Sequence, residues 1–188
     1  MTRNIRQELD QIIDIISTKD FLNCSSLGNE IGFYIYDYPP EEEMLVRTKI
    51  KNIKKQLQVS RNIEAKEFDL YKILLKTLED KGLKEKIIKE EKKKGFEWLI
   101  KALKPILKPE TYKDVIASES KDADVIFLSG VGKVWPFIRS HTVLNNLHSI
   151  ITAKPLLMFY PGEWNQKTLK LFGKFKDDNY YRAFKLFN

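Results

Sequence analysis

Two short apolar runs constrain the fold of this chain more than any other part of its sequence. Val125–Leu128 is followed by the turn residues Ser129-Gly130, and Leu156–Tyr160 is followed by Pro161-Gly162, which is expected to close the run. Apolar runs of about four to eight residues between turn residues are typical of buried central strands. Residues 134–150, between the two runs, have a helical pattern. Strands separated by helices predict a mostly parallel sheet with helices on both faces.

Periodic apolar residues predict further elements around these two strands. Apolar side chains at helical spacing predict helices over residues 4–17 and 41–58. Asp69 is the expected N-cap of another helix, which begins at Leu70. Further strands are predicted over residues 32–37, 62–68 and 182–187.

Residues 83–118 are predicted to be wholly helical. Gly82 precedes this segment, and Gly95, Pro105 and Pro109 divide it into short helices. We therefore predict a three-layer α/β fold, with a mostly parallel sheet flanked by helices and a helical insertion around residues 83–118. A length of 188 residues favours one domain over residues 1–188.

Composition and the N-terminal sequence bound the class of protein. Hydrophobic residues make up 43% of the chain, and 11 Phe, 8 Tyr and 3 Trp exclude the aromatic-poor composition of a disordered protein. Residues 1–8 are mostly polar and charged where a signal peptide has an apolar run, and no stretch approaches about 18 apolar residues. We expect a cytoplasmic protein without a membrane partner. The single cysteine, Cys24, is expected to be a packing residue.

Most of the net charge of +7 comes from one segment. Residues 81–108 contain ten Lys and four Glu, a net charge of +6. A second basic set lies on the polar face of the helix predicted over residues 41–58. Lys and Arg bind phosphates with release of counterions, but lysine lacks the bidentate geometry that reads base edges. Weak, non-specific DNA binding is one interpretation and an ordinary solvated surface is the other. The residues of the second set are Arg47, Lys51, Lys54 and Lys55.

The turn Ser129–Val134 stands where phosphate-binding loops stand, between a strand and a helix. A P-loop has glycine at the position of Phe127 and serine or threonine at the position of Val134. The third glycine of a dinucleotide-binding fingerprint falls on Trp135. We predict a structural turn and no cofactor, with a degenerate nucleotide-binding site as the alternative.

No catalytic or metal-binding motif is complete. His141, Asn145 and His148 share one face of the predicted helix, but no acidic residue accompanies them as a ligand or as a base. Asp37 and Glu64-Ala65-Lys66 are similar to the carboxylates and lysine of restriction-type nucleases. The strands of such a nuclease usually pair as neighbours, whereas here a full helix is predicted between them. We therefore expect no catalytic residue, no metal and no enzymatic activity.

A surface for a partner protein is predicted at the carboxyl ends of the strands, where functional contacts gather in open α/β sheets. The helix after the Gly130 turn begins there, and tyrosine and arginine in the C-terminal segment are residue types that often dominate binding energy. The alternative is that the C-terminal aromatic residues only cover the sheet. The candidate partner-binding residues are Trp135, Arg139, His141, Asn145, Asp177, Asp178, Asn179, Tyr180 and Arg182.

Three separated blocks, Gly28–Pro40, Val125–Leu147 and Asp177–Arg182, resemble the BrxB family. Members of that family are small proteins of BREX phage-defence systems, and the resemblance covers essentially the whole chain. It implies a place beside the ATPase BrxC, the phosphatase-like PglZ, the methyltransferase PglX, BrxA and the Lon-like BrxL. It supplies no catalytic residues to transfer to this chain.

The resemblance implies an antiviral role based on protein–protein interaction. The leading expectation is an adaptor or scaffold that holds other BREX proteins together for host-DNA methylation and phage restriction. PglZ is the first expected partner and BrxC the second. Two rival hypotheses are a nucleotide-dependent enzyme at the Gly130 turn and a DNA-binding module that uses the lysine-rich faces.

Overall fold

The computed structural model describes residues 3–24, 32–177 and 183–187. The helices are α1 (Ile5–Ile16), α2 (Lys19–Leu22), α3 (Glu43–Gln56), α4 (Leu70–Asp80), α5 (Lys84–Leu103), α6 (Pro109–Glu119), α7 (Val131–Val134) and α8 (Ser140–Leu147). The strands are β1 (Phe33–Tyr38), β2 (Ala65–Asp69), β3 (Val125–Ser129), β4 (Leu156–Trp164), β5 (Leu169–Leu171), β6 (Phe175–Asp177) and β7 (Phe184–Lys185). A short 3-10 turn precedes α3 and a π-helical turn follows it.

The strands form a mostly parallel sheet in the order β2-β3-β4-β1-β7. Leu128 of β3 lies opposite Met158 of β4, which in turn lies opposite Ile35 of β1. These three apolar residues therefore cross the centre of the sheet in one row. β5 and β6 continue from β4 as antiparallel strands. The predicted parallel α/β sheet is confirmed.

Helices cover both faces of the sheet, which gives the predicted three layers. On one face, α1 and α3 pack against aromatic residues of the strands, and the α3 stripe Val46, Ile50 and Ile53 is buried there. On the other face, α4 to α8 pack against residues such as Ile126 and Met158. The segment predicted as a helical insertion forms α5 and α6 on this second face, between β2 and β3 in the chain. In the described residues, no helix combines the length and apolarity needed to cross a bilayer.

The prediction of a single helix over residues 134–150 is wrong. The structure has α7 and α8 instead, separated by an extended Trp135 (ψ 139°) and by Pro136. Proline has no backbone N–H, and it disfavours the helical conformation of the residue before it. Pro136 therefore interrupts the helix.

The prediction that Pro161-Gly162 closes the second apolar strand is also wrong. β4 continues through both residues to Trp164. Pro161 still lies opposite Tyr38 of β1, and Gly162 then pairs with Leu171 of β5. A Cβ on Gly162 would collide with the Lys170 carbonyl oxygen, so this glycine permits the close approach of β5. The proline and glycine thus mark a change of pairing partner rather than the end of the strand.

Candidate partner-binding site

The Gly130 turn is fixed by the end of the neighbouring strand β2. Gly130 has a left-handed backbone (φ 75°), and a Cβ there would collide with the Asp69 carboxylate. Asp69 accepts a hydrogen bond from the Tyr71 N–H at 3.0 Å, as predicted for the N-cap of α4. The same carboxylate forms an ion pair with Lys133. Lys133, which stands where a P-loop has its lysine, is therefore paired with a carboxylate of the protein itself.

The glycine at position 132 is covered by other side chains. A Cβ on Gly132 would lie 2.8 Å from a ring carbon of Phe172 and 3.1 Å from Pro161. Pro161 of β4 and Phe172, which follows β5, thus pack directly on the turn. These contacts favour a structural role for the turn over a nucleotide-binding one.

A cleft of about 290 Å³ lies beyond the carboxyl end of β3, between the α7–α8 connection and β6, with Tyr160 of β4 in its lining. Trp135 and Phe175 pack together at its side, with ring centroids 4.1 Å apart and the rings tilted by 32°, although Phe175 itself is 43% exposed. Arg139 lies exposed at the same cleft. Its lining residues are Val131, Trp135, Ile138, Arg139, Ser140, Tyr160, Leu171, Lys174, Phe175, Lys176 and Asp177.

A hydrogen bond between His141 and Asp177 joins the two sides of the cleft. His141 Nδ1 of α8 lies 2.6 Å from Asp177 Oδ2 of β6, and both side chains are largely buried, at 18% and 14% exposure. Burial, with the nearby charge of Asp177, raises the pKa of the Tyr160 hydroxyl, which therefore stays protonated at neutral pH. The contact between His141 and Asp177 fixes β6 against α8, so the cleft has a defined shape.

The structure brings together four of the predicted partner-binding residues: Trp135, Arg139, His141 and Asp177. Asn145 is exposed on α8 and does not line the cleft. The remaining predictions, Asp178, Asn179, Tyr180 and Arg182, lie outside the described residues. Sequence reasoning missed Tyr160, Lys174, Phe175 and Lys176, which the fold brings to the cleft. The density of aromatic and charged residues from position 171 onwards was the available signal for three of them.

The two histidines do not converge on one point. His148, just after the end of α8, packs against Phe33 of β1 with ring centroids 4.4 Å apart, whereas His141 contacts Asp177 at the start of α8. Among the described residues, no group of three or more His, Cys, Asp or Glu side chains has the arrangement of a metal site.

The nuclease-like residues lie at opposite ends of the sheet. Asp37 is near the carboxyl end of β1, whereas Glu64 precedes the start of β2, and β4 and β3 lie between the two strands. Asp37 is 4% exposed and forms ion pairs with Arg3 and Lys185, each at 3.3 Å. It also accepts a hydrogen bond from the Trp164 N–H at 3.0 Å. Asp37 therefore joins four segments of the fold.

The two basic surfaces lie on opposite faces of the sheet, because α3 packs on one face and α5 on the other. On α3, Lys54 donates to Glu67 of β2 at 3.0 Å, which leaves Arg47, Lys51 and Lys55 exposed. On α5, most lysines point to solvent, and Lys94 pairs with Glu90 at 2.8 Å. A single DNA duplex cannot lie against both surfaces at once.

Comparison with known proteins identifies the family. The family described as BREX protein BrxB matches residues 66–186. The chain belongs to the BrxB family. A BREX protein BrxB of Bacillus cereus (strain H3081.97) is 45% identical over 188 residues, 98% of each chain. Another, of Escherichia coli O9:H4 (strain HS), is 34% identical over 184 residues, 97% of this chain and 91% of that relative. No solved structure gives a significant match. Family membership gives the protein a role in BREX phage defence.

Proposed function

We propose that this BrxB-family protein is a non-enzymatic adaptor of the BREX system and binds another BREX protein at the cleft between α8 and β6. PglZ is the proposed first partner and BrxC the second. The single observation that carries the proposal is that exposed aromatic and cationic side chains line a cleft whose two sides are joined by His141 and Asp177. The adaptor holds its partners together for host-DNA methylation and phage restriction.

The residue types at the cleft support protein binding. Trp135 and Phe175 offer a rigid aromatic surface, and aromatic and arginine side chains supply most of the energy in many interfaces. Arg139 and Lys174 add exposed positive charge beside it. A matching partner surface therefore carries acidic side chains around an apolar centre.

Single substitutions at the cleft test the adaptor role. We expect Arg139→Ala and Phe175→Ala each to weaken PglZ binding by about thirtyfold, because truncating a hot-spot residue costs about 2 kcal/mol. Co-purification of PglZ and phage defence are expected to fall with it. Tyr180→Ala, outside the described residues, is expected to act in the same direction. The measurement is recovery of PglZ with the tagged protein from cells that carry the full gene cluster.

Arg47→Ala is the matched control, because it removes an exposed arginine from the other face of the sheet. Melting temperatures near that of the wild type show that the cleft variants are folded. Undiminished recovery of PglZ and BrxC with both Arg139→Ala and Phe175→Ala contradicts the proposal, as does unfolding of both variants.

The non-enzymatic part of the proposal rests on the turn at Gly130. Lys133 is held by Asp69, and the motif has no hydroxyl to bind magnesium. The expected result is no ATP or GTP hydrolysis by the purified protein. Turnover that disappears in Lys133→Ala overturns this part.

A second candidate function is weak, sequence-independent DNA binding, and the arrangement of charges favours α5 as its surface. Four lysines of this helix are exposed and form no ion pair within the described residues, namely Lys86, Lys89, Lys92 and Lys101. On α3 three basic residues meet the same two conditions, namely Arg47, Lys51 and Lys55. Contacts between lysine and phosphate make such binding steeply dependent on salt.

Two sets of substitutions compare the basic surfaces. Glutamate at positions 86, 89 and 92 is expected to lower the slope of log affinity against log salt by about 3. Glutamate at positions 47, 51, 54 and 55 is expected to reduce binding less. Tight, site-selective binding that persists at high salt contradicts this candidate function.

A further inference from the structure

The helix α8 begins at the cleft without the groups that usually complete a helix N-terminus. Its N-cap residue is Arg139, whose side chain forms no capping hydrogen bond, and its first turn contains no acidic residue. A cation at this end of a helix is unfavourable, because the N–H groups there carry partial positive charge. The same N–H groups attract anions. The described residues thus leave the start of α8 uncapped.

Ser140, the first residue of α8, has two hydrogen-bonding groups without a partner. It is 9% exposed and lines the cleft. Within the described residues, neither its backbone N–H nor its hydroxyl forms a hydrogen bond. Buried donors of this kind destabilise a fold unless another group accepts from them. Ser140 therefore offers two donors to an acceptor in the cleft.

Tyr160 reaches the same cleft from β4. It is 1% exposed, and its hydroxyl forms no hydrogen bond within the part of the chain that the structure describes. Burial, with the nearby charge of Asp177, raises the pKa of this hydroxyl, which therefore keeps its proton. Two elements of the fold thus bring unpartnered hydroxyls to one cleft.

The charges at the cleft favour an anion with a single negative charge. Arg139 and Lys174 are exposed, and neither forms an ion pair within the described residues. Among the described lining residues Asp177 is the one acid, and it already lies 2.6 Å from His141 Nδ1. Asp177 repels a phosphate group, with its charge of about −2, more strongly than it repels a carboxylate. A carboxylate is therefore the acceptor that suits this cleft.

We propose that the cleft binds one carboxylate of the partner protein, which accepts hydrogen bonds from Ser140 and Tyr160. The positive charges of Arg139 and Lys174 attract the same carboxylate. An apolar side chain beside it in the partner packs on Phe175, which is 43% exposed. This inference rests on the proposed binding of a partner at the cleft, and it names the chemical group that the cleft recognises.

Short peptides test the class of ligand. Acetyl-Phe-Glu-amide carries a side-chain carboxylate, acetyl-Gln-Phe carries a terminal carboxylate, and acetyl-Phe-Gln-amide carries neither. We expect at least one carboxylate peptide to bind about tenfold more tightly than the neutral peptide, because hydrogen bonds to a charged acceptor are the stronger ones. The tighter of the two identifies the source of the carboxylate. Nuclear magnetic resonance titration measures the affinities, and the Ser140 amide is expected to shift most.

A phosphorylated peptide, acetyl-Phe-phosphoserine-amide, tests the preference for one negative charge. We expect it to bind more weakly than the better carboxylate peptide, because it brings more charge close to Asp177. Tighter binding of the phosphorylated peptide overturns the inference. So does equal binding of the neutral and carboxylate peptides, which shows a cleft that selects apolar side chains alone.

Removal of single hydroxyls locates the bound carboxylate. Ser140→Ala and Tyr160→Phe delete groups that no described residue uses, so both variants are expected to fold. Each is expected to weaken the carboxylate peptide about tenfold and to leave the neutral peptide unchanged. Tyr112→Phe deletes another unpartnered buried hydroxyl outside the cleft, and it is expected to leave affinity within about twofold. Equal effects of the three substitutions contradict the inference, and wild-type titrations decide it if a variant does not fold.

Recovery of PglZ separates this inference from the adaptor role. If Arg139→Ala and Phe175→Ala lose PglZ while Ser140→Ala and Tyr160→Phe retain it, the cleft binds its partner without a carboxylate and the inference is wrong. If the carboxylate peptide binds and none of the four substitutions changes recovery of PglZ, the carboxylate site stands and the adaptor role at this cleft is wrong.

Discussion

Tyr112 places a hydroxyl group in the core without a partner among the described residues. Its side chain is 1% exposed, and burial raises the pKa of the hydroxyl. A buried donor with no acceptor loses its bonds to water and gains nothing in return, at a cost of about 1–3 kcal/mol. We expect Tyr112→Phe to raise the free energy of unfolding by about 1 kcal/mol in urea titrations. A loss of stability would show that the hydroxyl has a bonding role.

Asp37 shows the opposite case, a buried carboxylate whose partners come from Arg3, Trp164 and Lys185. Removing it takes an acceptor from the buried Trp164 N–H and one partner from each of Arg3 and Lys185, although Arg3 keeps its ion pair with Glu8 at 2.8 Å. Because those cations are partly exposed, we expect Asp37→Ala to cost about 2–3 kcal/mol. Asp14→Ala breaks only the exposed pair with Arg61 and is expected to cost below about 1 kcal/mol. If Asp37→Ala and Asp14→Ala lower the melting temperature equally, Asp37 does not have the stabilising role assigned to it.

At the scale of the elements, the left-handed glycine between β3 and α7 can be tested against a matched position. Gly130→Ala introduces backbone strain and also pushes a Cβ into the Asp69 carboxylate. Gly82 has a similar φ of 65°, but an added Cβ there has nothing within 4 Å. We expect Gly82→Ala to cost about 1 kcal/mol and Gly130→Ala about 2 kcal/mol, because only the latter disturbs the cap of α4. Chemical denaturation measures both values, and equal costs would rule out the contact with Asp69.

Elements with a strong local pattern were predictable, whereas those set by tertiary contacts were not. The apolar runs gave β3 and β4, and the stripe from Val46 to Leu57 gave α3 with its buried face. β5 and β6 have three residues each, too few for an alternating pattern to be distinguished from a loop. Their pairing also decides which side chains reach the cleft. Trp135 and Arg139 were predictable from their place after a strand. Tyr160 was not, because nothing in the apolar run of β4 distinguishes it as a cleft residue.

At the scale of the whole molecule, the two hydrophobic clusters occupy the two faces of one sheet. Trp164 belongs to one cluster with Trp98 and Trp135 packed against it, while Tyr34, Tyr36 and Tyr38 belong to the other. Since the same strands carry both sets, neither face is expected to unfold alone. We expect tryptophan fluorescence and far-ultraviolet circular dichroism to report a single, coincident transition in urea. Two separate transitions would contradict the prediction of one domain.

The pairing of β1 with β4, at the centre of the sheet, can form only late in synthesis. Phe33 of β1 lies opposite Leu156 of β4, so the two middle strands come from distant parts of the chain. A ribosome needs on the order of ten seconds to translate the residues between them. Throughout that interval the aromatic strand β1 has no parallel neighbour, because β7 is made later still. The nascent chain must therefore be protected from aggregation until β4 is made. During that period α1 and α3 can already pack against β1 and cover its aromatic side chains.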